Sequence, residues 1–148
     1  MGASYYYRGV YAKALEYYVA ASKIQEQIKD NKGLSKTLNN ISLIYRVKKD
    51  YTNALSYLRQ SLQIKKSLND RVGEMNTLSN IGIIYQSAGD CDSAIQYATQ
   101  TYQLALELNR EYDIASSLAN MGEAYFCARK YSDAIKYFKQ AEQRLLQN

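Results

Sequence analysis

The apolar positions of this chain recur at threes and fours along most of its length, and the pattern resets at short polar breaks. Leu34, Leu38, Ile41, Ile44 and Tyr45 mark one buried helix face between Leu34 and Val47. Lys48-Lys49-Asp50 interrupts it. Tyr51, Ala54, Leu55, Leu58, Leu62 and Leu68 then mark a second, longer helix, which Asn69-Asp70 closes. The same order returns with Leu78, Ile81, Ile84 and Tyr85, a break at Gly89-Asp90, and Ala94, Ile95, Ala98, Tyr102 and Ala105. It returns once more with Leu118, Met121, Ala124 and Tyr125, a break at Arg129-Lys130, and Ala134, Ile135, Phe138, Ala141 and Leu145. Breaks this short make each helix pair an antiparallel hairpin. Gly89 stands where a left-handed helix end costs least, and Asp50 and Asp90 are placed to cap the helices that follow.

The hairpins are copies of one another. Tyr11-Ala12-Lys13-Ala14-Leu15-Glu16-Tyr17 aligns with Tyr51-Thr52-Asn53-Ala54-Leu55-Ser56-Tyr57, with Cys91-Asp92-Ser93-Ala94-Ile95-Gln96-Tyr97 and with Tyr131-Ser132-Asp133-Ala134-Ile135-Lys136-Tyr137, each 40 residues after the last. A unit of that size cannot bury its own apolar face, so neighbours must stack. The predicted fold class is all-α, a solenoid of stacked antiparallel hairpins. The predicted organisation is a single array over residues 1–148, with units near 1–32, 33–72, 73–112 and 113–148.

Small residues refine the unit. Twelve positions before Ala14, Ala54, Ala94 and Ala134 stand Gly2, Ser42, Gly82 and Gly122; nine before stand Tyr5, Tyr45, Tyr85 and Tyr125; seven after stand Ala21, Ser61, Thr101 and Ala141. This pattern resembles the tetratricopeptide repeat over essentially the whole chain. The resemblance implies a right-handed α-solenoid in which small residues let paired helices approach and the Tyr fills the space between hairpins. The usual period is about 34 residues with a Pro closing the second helix; here Glu26, Lys66, Leu106 and Leu146 occupy the Pro column. The added length is expected in the second helix. The long form resembles arrays of bacterial signalling and regulatory proteins, and also those of kinesin light chain and related adaptors. By the same register Tyr5 falls late in a first helix, so unit one is expected to lack most of that helix ahead of Met1. With no polar capping helix after Leu146, self-association through uncapped terminal repeats is expected.

Composition narrows the function. The chain has no Pro, no His and no Trp but 16 Tyr, most of them in the repeat columns. Without His the commonest general base and zinc ligand are missing, and no phosphate loop or nucleophile with a partner base is present. The expectation is a chain that is not an enzyme and uses no cofactor or metal. Cys91 and Cys127 are too few for a disulfide framework; both read as buried small hydrophobes in a reducing compartment, although antiparallel neighbours would bring them to the same end of the stack. No apolar run is long enough to span a membrane and no signal peptide precedes the repeats, so the expected location is cytoplasmic, with no membrane partner. Residues 1–74 carry 13 basic and 6 acidic side chains and residues 75–148 carry 6 and 8. The basic residues, Lys65 and Lys66 among them, are scattered as on a solvated helix face. A nucleic-acid partner, which needs a continuous stripe, is not expected.

In the family resembled here the first helix of each hairpin lines the concave groove. The corresponding candidates for a peptide-binding groove are Lys36, Asn39, Asn40, Leu43 and Arg46 in the second unit, Asn76, Asn80, Ile83 and Gln86 in the third, and Ser116, Asn120, Glu123 and Phe126 in the fourth. Asn40, Asn80 and Asn120 form a uniform column. An amide both donates and accepts, so such a ladder can hold an extended backbone, or each Asn can bond within the scaffold instead. The column where chaperone-binding relatives place a carboxylate-clamping Lys reads Asn39, Ser79 and Ala119, so that clamp is not intact. The graded polarity fits a protein or peptide ligand with an acidic end and an apolar middle. The expected function is a protein interaction scaffold, or alternatively the sensory segment of a larger bacterial signalling protein or transcription regulator.

Overall fold

The computed structural model describes residues 10–147. The readings made on Gly2, on Tyr5 and on a shortened first helix lie outside the described residues. Within them the chain forms seven α-helices and no strand: α1 (Tyr11–Gln27), α2 (Asn31–Val47), α3 (Tyr51–Ser67), α4 (Arg71–Ser87), α5 (Cys91–Glu107), α6 (Glu111–Cys127) and α7 (Tyr131–Leu146). Among the described residues no helix is long and apolar enough to cross a membrane.

First and second helices are of nearly equal length: α2, α3, α4, α5 and α6 each hold 17 residues and α7 holds 16. The added length of the repeat is therefore not confined to the second helix, contrary to the sequence expectation. The reason is visible at α2, whose first turn Asn31-Lys32-Gly33 is polar and precedes the first apolar position, Leu34. Hydrophobic periodicity reports the buried stripe of a helix and is silent on its ends.

One turn geometry serves every connection. Lys29, Lys49, Asn69, Gly89, Asn109 and Arg129 all take positive φ, between 50° and 83°. The next residue then returns its N–H to the carbonyl five positions back, as Asp50 to Tyr45, Asp90 to Tyr85 and Lys130 to Tyr125, each at 2.9 Å, which satisfies a terminal carbonyl of the ending helix. Asp30, Asp50 and Asp90 then accept the backbone N–H of Gly33, Asn53 and Ser93 and start the following helices, the role expected of Asp50 and Asp90. The bond from the Ser93 hydroxyl, followed by that from its backbone N–H, holds the Asp90 carboxyl below its ordinary pKa.

The chain divides into two compact units, residues 1–70 and 71–148. In the first, α2 and α3 pair through Ile41, Ile44, Ala54 and Leu58, all at 0% exposure. The small-residue column is used as expected: Ser61 is buried and its hydroxyl donates to the Ser35 carbonyl at 2.8 Å, joining α3 to α2. In the second unit the α4–α5 and α6–α7 hairpins stack through α5 against α6. Met75, Ile81, Ile84, Leu104, Ala105, Ile114 and Leu118 are buried there. The Tyr column finds its partner inside each hairpin: Tyr45 on Tyr57 and Tyr85 on Tyr97 stack with ring centroids 5.5 Å apart, and Tyr125 meets Tyr137 at 5.0 Å. On α7 the predicted stripe is only half covered. Ala134 and Ala141 are buried, while Ile135, Phe138 and Leu145 are 40% exposed or more, because no described helix follows α7 in the position that α6 takes over α5.

Candidate peptide-binding face

The candidate residues lie on α2, α4 and α6 at helical spacing, between the apolar positions that face inward. Leu38, Ile41 and Ile44 are buried on α2, while Asn40, Leu43 and Arg46 are half-buried and Lys36 is exposed. The same holds on α4, where Asn80, Ile83 and Gln86 are half-buried and Asn76 is exposed; on α6 Asn120 is half-buried while Ser116, Glu123 and Phe126 are exposed. Asn39 departs from its neighbours: its amide oxygen is out of solvent and has no hydrogen-bond partner among the described residues, so it contributes more to packing than to an accessible surface.

In the second unit α4 and α6 bring part of the set together. Asn76 and Ser79 from α4 meet Asp113, Ser116, Ser117 and Asn120 from α6 around a crevice of about 60 Å³, with Met75 and Thr101 beneath. Across it the Asn120 amide Nδ2 donates to the Ser79 hydroxyl at 3.1 Å. Asn120 thus bonds the neighbouring repeat through a side chain. Among the described residues the amides of Asn40 and Asn80 bond no other side chain. Phe126 stands 60% exposed and meets Tyr131 edge to face at 5.3 Å, which leaves an aromatic pair at one end of α6.

Two features were not legible in the chain. Lys65, taken for a solvated residue, is only 6% exposed. It occupies the column that holds buried Ala105 in the next repeat, so its stem is covered by packing. Burial pushes its ammonium pKa down, the nearby Asp70 raises it, and the positive charge of Lys36 lowers it further. The second feature corrects the reading of the cysteines. Cys91 and Cys127 are half-exposed and joined in a disulfide, with Cα atoms 5.6 Å apart. Antiparallel α5 and α6 bring the first residue of one beside the last residue of the other. The pair consequently gives no support to a reducing compartment.

The family model for the tetratricopeptide repeat matches residues 1–67, 33–107 and 73–147. The chain belongs to the tetratricopeptide repeat family. That membership places it in the all-α solenoid class of stacked helix hairpins, in agreement with the helices described above. No curated protein matches the sequence. Among solved structures, BtubC from P. vanneervenii superposes with a TM-score of 0.89 at 20% identity, covering 98% of this chain and 60% of that one. A signal transduction ATPase with numerous domains and a tetratricopeptide repeat sensor, from Pyrococcus horikoshii, gives 0.90 at 21% identity over 98% of this chain and 23% of that one. A Rap protein in complex with competence and sporulation factor gives 0.80 at 19% identity, covering 99% and 41%. At these identities the likeness is one of fold, and the chain spans 60% or less of each of the three.

Proposed function

We propose that this tetratricopeptide repeat chain is a non-catalytic scaffold that binds an extended peptide or protein segment on first-helix faces, that of α2 in the first unit and that of α4 and α6 in the second. The observation that carries the reading is the half-buried Asn80 amide, which makes no bond to another side chain and sits one position from Ser79 at the crevice shared with Asn120. Such an amide supplies one donor and one acceptor to a passing backbone without selecting its side chains. Selectivity would come from the surroundings. In the first unit Lys36 and Arg46 favour an acidic segment, and in the second Ile83 and Phe126 favour apolar side chains.

The test is selection of a displayed library of random peptides on the immobilised chain, followed by calorimetry of the selected peptide. Asn80→Ala is expected to weaken binding by about 1–3 kcal/mol with thermal stability nearly kept. A variant that loses stability yet binds with unchanged affinity refutes the reading. A second reading, a sensory segment that reports a bound signal to attached domains, is supported by the fold shared with the repeat sensor of the ATPase and with the Rap protein bound to its factor. Joining the chain to its native flanking sequence and measuring a change in output on peptide addition tests it.

A further inference from the structure

We propose that Cys91 and Cys127 form a reversible redox latch on the junction between α5 and α6, closed by disulfide oxidants and opened by dithiol reductants. The bond joins the first residue of α5 to the last residue of α6. It therefore ties two hairpins to each other and leaves each hairpin internally free. In a repeat array each junction contributes its own interface free energy, so a crosslink here acts on one junction. The register shows that it is local: positions 51 and 131 carry Tyr where 91 carries Cys, and positions 47 and 87 carry Val and Ser where 127 carries Cys. Both residues are half-exposed and lie at helix ends, where an exchange reagent can reach the sulfurs.

One turn inside the bond, Ala94 of α5 and Ala124 of α6 line a second crevice with Ile83 and Gln86 of α4 and Asn120 of α6. Its volume is about 10 Å³, no more than a single water needs. With the bond made, this end of the junction is shut. Ile83, Gln86 and Asn120 also belong to the proposed binding face, so the latch holds that face at fixed spacing; this consequence rests on the peptide-binding reading. A fixed face loses less freedom on binding and binds more tightly.

The chemistry is thiol–disulfide exchange. In closing, one protein thiolate attacks oxidised glutathione, expels one glutathione thiolate and leaves a mixed disulfide. The second protein thiolate attacks the protein sulfur of that bond and expels the other glutathione. Two protein thiols lose two electrons and two protons, and the glutathione disulfide becomes two thiols. Dithiothreitol runs the sequence backwards and leaves as its cyclic disulfide.

The experiment equilibrates the full chain with oxidised glutathione or with dithiothreitol, counts free thiols, and follows amide hydrogen exchange. The oxidised protein is expected to show no free thiol. On reduction, amides at the start of α5 and the end of α6 should exchange about tenfold faster or more, with those of α2 and α3 unchanged. A Cys91→Ser, Cys127→Ser double variant should exchange like the reduced protein in both buffers. The peptide selected above should bind the reduced wild type severalfold more weakly and be indifferent to buffer in the double variant. Free thiols persisting in oxidised glutathione, or identical exchange in the two buffers, overturn the latch. Should selection yield no peptide, the binding reading fails, and thiol count and exchange still decide the latch.

Discussion

The small-residue column that lets the helices of a hairpin approach makes an internally controlled test of packing. Gly82 and Gly122 occupy the same register in α4 and α6, and the residues that cover them, Ala98 and Phe138, are also in register. A Cβ built on Gly82 would lie 3.3 Å from the Tyr97 Cβ and 3.6 Å from the Ala98 nitrogen, whereas one built on Gly122 would lie 2.7 Å from two atoms of the Phe138 ring. Alanine gains about 0.8–1.0 kcal/mol over glycine in a helix interior. At Gly82 the atoms met, the Tyr97 Cβ and the Ala98 nitrogen, move only with α5, so the shift of a few tenths of an ångström offsets part of the gain and the variant should stay within about 1 kcal/mol of wild type. At Gly122 the ring must leave its place, and overpacking of this kind costs about 1–3 kcal/mol. The net expectation is a loss of about 1 kcal/mol. Removing the ring should reverse the sign: in a Phe138→Ala background Gly122→Ala should stabilise by about 1 kcal/mol, a coupling near 2 kcal/mol. Urea unfolding followed by far-UV circular dichroism reads all four proteins of the cycle. If Gly122→Ala stabilises the wild type as much as Gly82→Ala does, the Phe138 contact is not what sets the column, and the reasoning fails.

Other outcomes follow from the turns and the buried charge. Lys49→Gly and Arg129→Gly should each raise stability by about 0.5–1 kcal/mol, because a left-handed backbone strains a side-chain-bearing residue. Gly89→Ala should lose about 1 kcal/mol through the backbone alone, since nothing lies within 4 Å of a Cβ placed there. Asp90→Ala should lower the urea midpoint at neutral pH. The folded pKa of Asp90 is depressed, so its contribution is present above the ordinary carboxylate pKa and disappears as pH falls through the folded value; in acid the variant and wild type should converge. For Lys65 the lowered pKa means that this residue binds more protons in the unfolded chain over the alkaline range below the ordinary lysine pKa, so its own contribution to stability rises with pH there, against the fall contributed by Tyr45 and Tyr137, whose pKa burial raises. Lys65→Met, which keeps the stem, should abolish that rise in a pH series of thermal melts.

Much of the fold was readable in the chain because the repeat averages out local ambiguity. Four aligned copies of the Ala-Leu/Ile-x-Tyr phrase marked the starts of α1, α3, α5 and α7, and Gly89, Asp50 and Asp90 announced their turns through backbone chemistry. Lys49 and Arg129 did not, since nothing in a basic side chain marks a left-handed residue; only their register with Gly89 carries that information. Lys65 was misjudged because its type spoke for solvent while its column spoke for burial, and the column prevailed. The disulfide escaped for a different reason. Antiparallel helices were expected to bring the two cysteines to the same end, and their Cα atoms do lie 5.6 Å apart; the reading went astray in setting the usual burial of a free thiol above that proximity. On the proposed binding face, spacing placed Asn76, Ser116 and Asn120 on one accessible side, and the structure gathers them at one crevice. The bond from Asn120 to Ser79 depends on which repeat lies beside which, and no single-repeat pattern contains it.

The left-handed turn residues recur every 20 residues from Lys29 to Arg129, which is half the sequence period. The backbone therefore makes no distinction between the turn inside a hairpin and the turn between hairpins; only the helix faces do. Cutting at one such residue and rejoining at another 40 positions away would preserve each capping bond and each helix face. Splicing at a 20-residue offset would preserve the backbone but exchange the first-helix and second-helix roles of every helix beyond the joint. The chain should thus accept whole modules added or removed at Lys49, Gly89 or Arg129, and reject half modules that a backbone trace alone would judge equally acceptable.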